Sequence, residues 1–190
     1  MSQLMTLKNI LTDKKNSILK KWLELIADTH PAGSGFFKNK DQFTNPVGYT
    51  ISTEISTLYD ELLQGQAYSE KIAQSLDNII KIRAVQDFSP SKAIGFLFLL
   101  KAVLNDELKD EIQEKLLFKE LLQFNSTIDE MGLLAFDIYT SCRERIYKIQ
   151  VNEIKTDREN AFRLLERIRS KSDKLEDGVA DGYNRSEVTG

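Results

Sequence analysis

Ser89-Pro90-Ser91-Lys92-Ala93-Ile94-Gly95-Phe96-Leu97-Phe98-Leu99-Leu100 is the stretch whose reading decides the fold. Serine before proline is a helix-start signal. It offers a side-chain oxygen at the N-cap, then a ring whose missing N–H costs nothing at the first helical position. From Ala93 to Leu100 no polar residue breaks the run, and the run is too short to span a bilayer. A helix that is apolar all round must be covered on every side. This one is expected to be the central element of a helical core, with Gly95 letting another helix approach closely.

Towards the C-terminus the pattern turns polar around Asn105 and Asp106, and Leu108, Ile112, Leu116 and Leu121 then predict a fifth helix ending near Asn125. Its acids Asp110, Glu111 and Glu114 read as a solvated face, with Lys115 pairing to Glu111 one turn back. Ser126 is placed to cap the last helix. There Ile128, Met131, Ala135, Ile138, Cys142, Ile146 and Ile149 recur at steps of three and four. Neither proline nor glycine intervenes from Leu133 through Ser170, so the helix is expected to run on as a charged rod with Ile154, Ala161, Leu164, Leu165 and Ile168. A lone helix with apolar residues this sparse is marginal, and pairing two across a dimer axis covers the stripe. Ile138, Ile146, Ile149, Ile154, Leu164 and Ile168 are the candidate dimer and output positions.

Towards the N-terminus, Ser69 is placed to cap a helix whose inward positions are Ile72, Leu76 and Ile79, and the next turn brings Arg83 onto the same apolar face. Two readings of Arg83 are open. Its stem lies on the core with the guanidinium raised to the rim, or it is buried in a pair with Asp87 or an acid of another helix. Upstream, Asn45-Pro46 repeats the cap-then-proline signal before the stripe Val47, Ile51, Ile55, Leu58 and Leu62, which stops near Gly65. A first helix is predicted over about Thr6 to Thr29, its stripe interrupted at Lys14 and Lys15 and ended by His30-Pro31 and Gly33-Ser34-Gly35. In the loop that follows, Phe36, Phe37 and Phe43 are expected to pin the chain over the core. Strand alternation is nearly absent, so the class is all-α, with about six helices.

The 190 residues carry a net charge of -3 and suit one domain with an appendage. The expected division is a helical domain over 1–150, a helical extension over 151–170 and a flexible polar tail over 171–190. No segment gathers lysine and arginine without interleaved acids, which argues against a nucleic-acid partner. Met1 to Asn9 holds no signal-like apolar core, and no membrane insertion is expected. A single cysteine, Cys142, suits the reducing cytoplasm.

Chemistry-bearing patterns are few. One histidine and one cysteine, far apart, do not make a zinc site. His30 at a helix end is poorly presented for haem, and Gly33-Ser34-Gly35 lacks the strand and lysine of a nucleotide loop. Cys142 has no general base in its sequence neighbourhood. No cofactor and no enzymatic activity are expected. The polar set that leans inward is Arg83, Gln86 and Asp87, with Asp137, Tyr139, Cys142 and Arg143 on the last helix, beside Phe96, Phe98 and Phe136. These are the ligand or sensor candidates for a small interhelical pocket, unless they only lock helix packing.

Three runs carry a family resemblance: Asn45-Pro46-Val47-Gly48; Ile82-Arg83-Ala84-Val85-Gln86-Asp87-Phe88-Ser89-Pro90-Ser91; and Leu134 to Tyr139 through Cys142-Arg143-Glu144 and Val151-Asn152-Glu153. Over about 14–155 the chain resembles the RsbRD N-terminal domain family. The resemblance implies the sensory part of RsbT co-antagonists, which act in the stressosome as negative regulators of the general stress response. It also implies a dimeric, non-haem, globin-like helical domain whose last helix runs into an output domain. The tail after Ser170 has no room for the usual STAS output domain. A stand-alone regulatory module docking on a separate protein partner is therefore expected, with a small-ligand or redox sensor as the alternative. Stand-alone relatives of this kind also suggest a regulatory accessory of a sulfur or sulfate respiratory complex.

Overall fold

The computed structural model describes residues 6–29, 43–86, 88–111 and 115–186, with the side chains of 115, 116 and 172–186 outside the description. Every regular element among the described residues is a helix. They are α1 Leu7–Asp13, α2 Lys15–Asp28, α3 Pro46–Leu62, α4 Glu70–Val85, α5 Pro90–Ile94, α6 Phe96–Glu107 and α7 Lys115–Ser186. The all-α class holds, with a long C-terminal helix. The chain divides into two units, Met1–Arg143 and Glu144–Gly190, and α7 belongs to both.

In the first unit α3 packs on α4 and α2 packs on α6. Their apolar stripes meet in a core that includes Ile18, Trp22 and Ile26 of α2, Ile55 and Leu58 of α3, Leu76 and Ile79 of α4, and Leu97 and Leu100 of α6. Each such side chain contributes about 1.5–3 kcal/mol by leaving water. Ile128, Met131 and Ala135 of α7 are buried as well. Two buried aromatics reach backbone acceptors: Trp22 Nε1 donates to the Phe96 carbonyl at 2.7 Å, and the Tyr59 hydroxyl donates to Leu11 at 2.9 Å. Their polar tips are thereby satisfied without leaving the core.

The caps read from the sequence at α3 and α4 form. Asn45 Oδ1 accepts from the Gly48 N–H at 2.9 Å, and Ser69 Oγ accepts from the Ile72 N–H at 3.1 Å. A Cβ at Gly48 would stand 2.2 Å from Asn45 Nδ2, so the cap needs a glycine there. Ser69 also donates to Glu61 Oε2 at 2.8 Å, tying the start of α4 to the end of α3. Between these helices Gly65 turns the chain at φ 76°, a left-handed conformation that glycine adopts without strain.

Several expectations need correction. The single helix over Thr6–Thr29 is two, broken at Lys14, whose Nζ bonds the Glu107 carbonyl and the Glu111 carboxylate. Glu111 thus pairs with Lys14 across the fold, and its face is not merely solvated. Gly95 does not admit a second helix. It sits at the break between α5 and α6, where a Cβ would collide with the Ser91 carbonyl at 2.7 Å. The close approach falls instead at Gly132, over which the Phe98 ring lies, 2.6 Å from where a Cβ would be. The α6 run is not covered all round, because Phe98 keeps 39% of its surface exposed.

The separate fifth helix does not form as expected. Leu108 is the C-cap of α6, Ile112 lies outside the described residues, and Leu121 belongs to α7. Ser126 is inside α7 and caps nothing; its hydroxyl donates back to the Leu122 carbonyl at 3.2 Å, as serine does within helices. Phe43 is 93% exposed and does not pin a loop to the core, while Phe36, Phe37, His30 and Gly33-Ser34-Gly35 lie outside the described residues.

The second unit, from Glu144, is helical through Ser186. Of Glu144–Lys171 only Ile146 and Val151 are half-buried, and the rest are exposed. No helix among the described residues is long and apolar enough to cross a membrane.

Candidate functional site at the α4–α5 junction

The apolar face of α4 runs Ile72, Leu76, Ile79 and Ile80, and the same helical phase carries Arg83 inward one turn later. Arg83 is 1% exposed, so the reading with its head at the rim is overturned. Its Nη1 donates to the Lys92 carbonyl at 2.9 Å. The guanidinium carbon stands 5.2 Å from the Phe88 ring centroid and 5.0 Å from that of Phe96, within cation–π range. Among the described residues Nε and Nη2 have no hydrogen-bond partner, and no acid pairs with the group. Burial pushes its pKa down to about 10, so it is still a cation at neutral pH. Pairing with Asp87, the other reading, falls on a residue outside the description.

The backbone that encloses Arg83 is held by side chains. Helix α4 closes where the Phe88 N–H donates back to the Arg83 carbonyl at 3.2 Å. The Tyr139 hydroxyl donates to the Phe88 carbonyl at 2.6 Å, and Arg143 Nη1 donates to the Ala84 carbonyl at 3.3 Å. With Arg83 on Lys92, three carbonyls of residues 84–92 are taken by side chains, two of them from α7. Pro90 opens α5 as the sequence indicated, but the Ser89 side chain makes no capping bond; its hydroxyl lies 3.3 Å from that of Ser91.

Of the sequence candidates, Arg83, Tyr139 and Arg143 converge on this junction. Cys142 is a buried free thiol, three residues beyond Tyr139 on α7. Gln86 is the exposed C-cap residue of α4, and Asp137 is exposed on α7. Phe98 and Phe136 keep large exposed areas, and only Phe96 of the three named aromatics meets Arg83. The residue that sequence reasoning missed is Phe88. Its signal was its place just before the Ser89-Pro90 start, where an apolar residue commonly folds back onto the helix. No cluster of metal-ligating side chains occurs among the described residues.

An open groove of about 310 Å³ lies elsewhere in the unit, lined by residues that include Leu7, Leu11, Leu62 and Phe124. Of its charged residues, Glu120 is engaged, its Oε2 accepting from the Leu7 N–H at 2.7 Å. Among the described residues the groove shares none with the junction.

The geometry defines an all-α domain with a cation buried at a tied-down helix junction. The model of the RsbT co-antagonist protein rsbRD N-terminal domain matches residues 16–154, and the chain belongs to that family, a family of regulatory sensor domains and not of enzymes. The three runs that carry the resemblance supply the Asn45–Gly48 cap, the junction itself and its two anchors on α7. A protein of Archaeoglobus fulgidus, described as uncharacterized, is 25% identical over 99 residues, which is 52% of this chain and 62% of that protein. The match thus spans less than two thirds of that relative's length. No solved structure matches the chain.

Proposed function

We propose that the chain is a non-enzymatic regulatory module that works in the cytoplasm as a homodimer and acts by holding a protein partner. Its family ties such domains to RsbT co-antagonists, so restraint of a stress-response pathway is the output we assign. The observation that carries the dimer reading lies in the second unit. Tyr147, Val151, Ile154, Arg158, Ala161, Leu165 and Ile168 follow one another at alternating steps of four and three. That is the spacing of a coiled-coil seam, and Tyr147, Ile154, Leu165 and Ile168 each keep more than half their surface exposed in the single chain. Ile154 and Ile168 were candidates from the sequence; Ile146, Ile149 and Leu164 lie off this seam. Arg158 in a seam position costs stability and favours one register. The test is the subunit count of an Ile154→Lys, Leu165→Lys variant beside the wild type. A dimer that survives both charges sinks the seam.

A second reading, favoured by the junction, makes the first unit a small-ligand or redox sensor. Arg83, Tyr139, Cys142 and Arg143 are then the responsive set, and Tyr139 and Arg143 pass a change at residues 84–92 to α7. Cys142→Ser and Arg83→Ala variants with unaltered stability and partner binding would remove this reading.

A further inference from the structure

Arg83 is buried with one hydrogen bond, two aromatic neighbours and no anion among the described residues. Removing a guanidinium from water is costly, and each buried donor left unpaired adds to that cost. The two unpaired donors are not a random pair. Nε and Nη2 share one edge of the planar guanidinium, and their N–H bonds point the same way as the prongs of a fork. Nη1, on the other side, is spent on the Lys92 carbonyl. That fork is the edge on which arginine receives two oxygens of one carboxylate or phosphate.

We propose that the Nε/Nη2 edge of Arg83 is the receptor for a small oxyanion presenting two oxygens, either an organic carboxylate or an inorganic oxyanion such as phosphate or sulfate. The anion would supply the countercharge and both missing acceptors at once, and because neither donor reaches solvent, its entry requires the side chains packed on that edge to part. The site is singular among the described residues. Lys14, Lys15, Lys21 and Lys101, by contrast, meet protein carboxylates. Bound there, an anion abuts the segment that Tyr139 and Arg143 hold, so occupancy bears on the α7 anchors. The proposal rests on the sensor reading of this junction, but its test reads anion binding and not signalling, so the two can fail separately.

The experiment uses the full chain in Tris chloride free of oxyanions, titrated at matched ionic strength with sodium phosphate, sodium sulfate and sodium acetate. Thermal melting and calorimetry follow binding, and the ¹⁵Nε–¹Hε resonance of Arg83 reports the contact. The expected result is a saturable rise in melting temperature with one site per chain, with the Arg83 Hε signal moving downfield. Acetate alone acting identifies an organic carboxylate as the source chemistry, and phosphate or sulfate an inorganic one. Arg83→Met should abolish the saturable response, and Arg83→Lys, which keeps the charge without the fork, should weaken it at least tenfold. No saturable response of the wild type to any of the three probes overturns the proposal. So does an undiminished response in either variant. A double-mutant cycle of Arg83→Met with Asp87→Asn showing the strong coupling of a buried ion pair also overturns it, by assigning the fork to Asp87.

Discussion

The Tyr139 hydroxyl donates to the Phe88 carbonyl at 2.6 Å, a bond that joins α7 to the α4–α5 junction across 51 positions of sequence. Both residues are buried, so neither group can turn to water instead. Tyr139→Phe keeps the ring and deletes only the donor. It should lower unfolding free energy by about 1–3 kcal/mol, the cost of a buried acceptor left alone. Urea unfolding checks this, with the m-value unchanged; a loss below the error of the measurement would mean the carbonyl finds another donor.

Gly48 and Asn45 form one device, because a Cβ at 48 would stand where the capping side chain now lies. Gly48→Ala therefore removes the cap, worth about 1 kcal/mol, while alanine gains a similar amount of helix propensity. The decisive comparison is between backgrounds. In Asn45→Ala protein the cap is already gone, and Gly48→Ala should stabilise by about 1 kcal/mol; in the wild type it should be neutral or harmful. Equal effects in both backgrounds would refute the coupling.

Acid should loosen the link between α2 and the end of α6. Lys21 reaches Asp106 at 2.5 Å and Glu107 at 2.6 Å, and these contacts hold both carboxyls below their ordinary range. Glu111 is held low in the same way by Lys14. A carboxylate with a lowered folded pKa contributes stability that is present above its unfolded value, 4.5 for glutamate. That contribution is lost as pH falls through the folded value. Exposure and salt keep each exposed pair small. Unfolding midpoints measured from pH 6 down to pH 2 should fall most below about pH 4.5, and Lys21→Met should flatten that fall. A variant with the wild-type profile would show that Lys21 is not the cause.

Much of this was legible in the sequence because it is written in local patterns. Asn45-Pro46 and Ser69 announce caps that need only neighbouring backbone, and the phase of Ile72, Leu76 and Ile79 carries Arg83 inward. What escaped depends on partners far along the chain. Ser126 looks like a cap until α7 is seen to begin at Lys115 and run through it. Gly95 and Gly132 are alike in sequence, yet only the packing of Phe98 shows that the close approach belongs to Gly132. Phe88 and Tyr139 meet only once the chain is folded. Gln86 and Asp137 looked inward by sequence spacing, but Gln86 terminates its helix and Asp137 points off the buried face of α7.

Two copies of this chain are proposed to pair along the seam from Tyr147 to Ile168. Native mass spectrometry of the full chain tests this pairing most directly. A species of twice the 21.8 kDa chain mass is expected, reduced to the single mass by Ile154→Lys and Leu165→Lys. A single-chain mass for the wild type under the same conditions would contradict it.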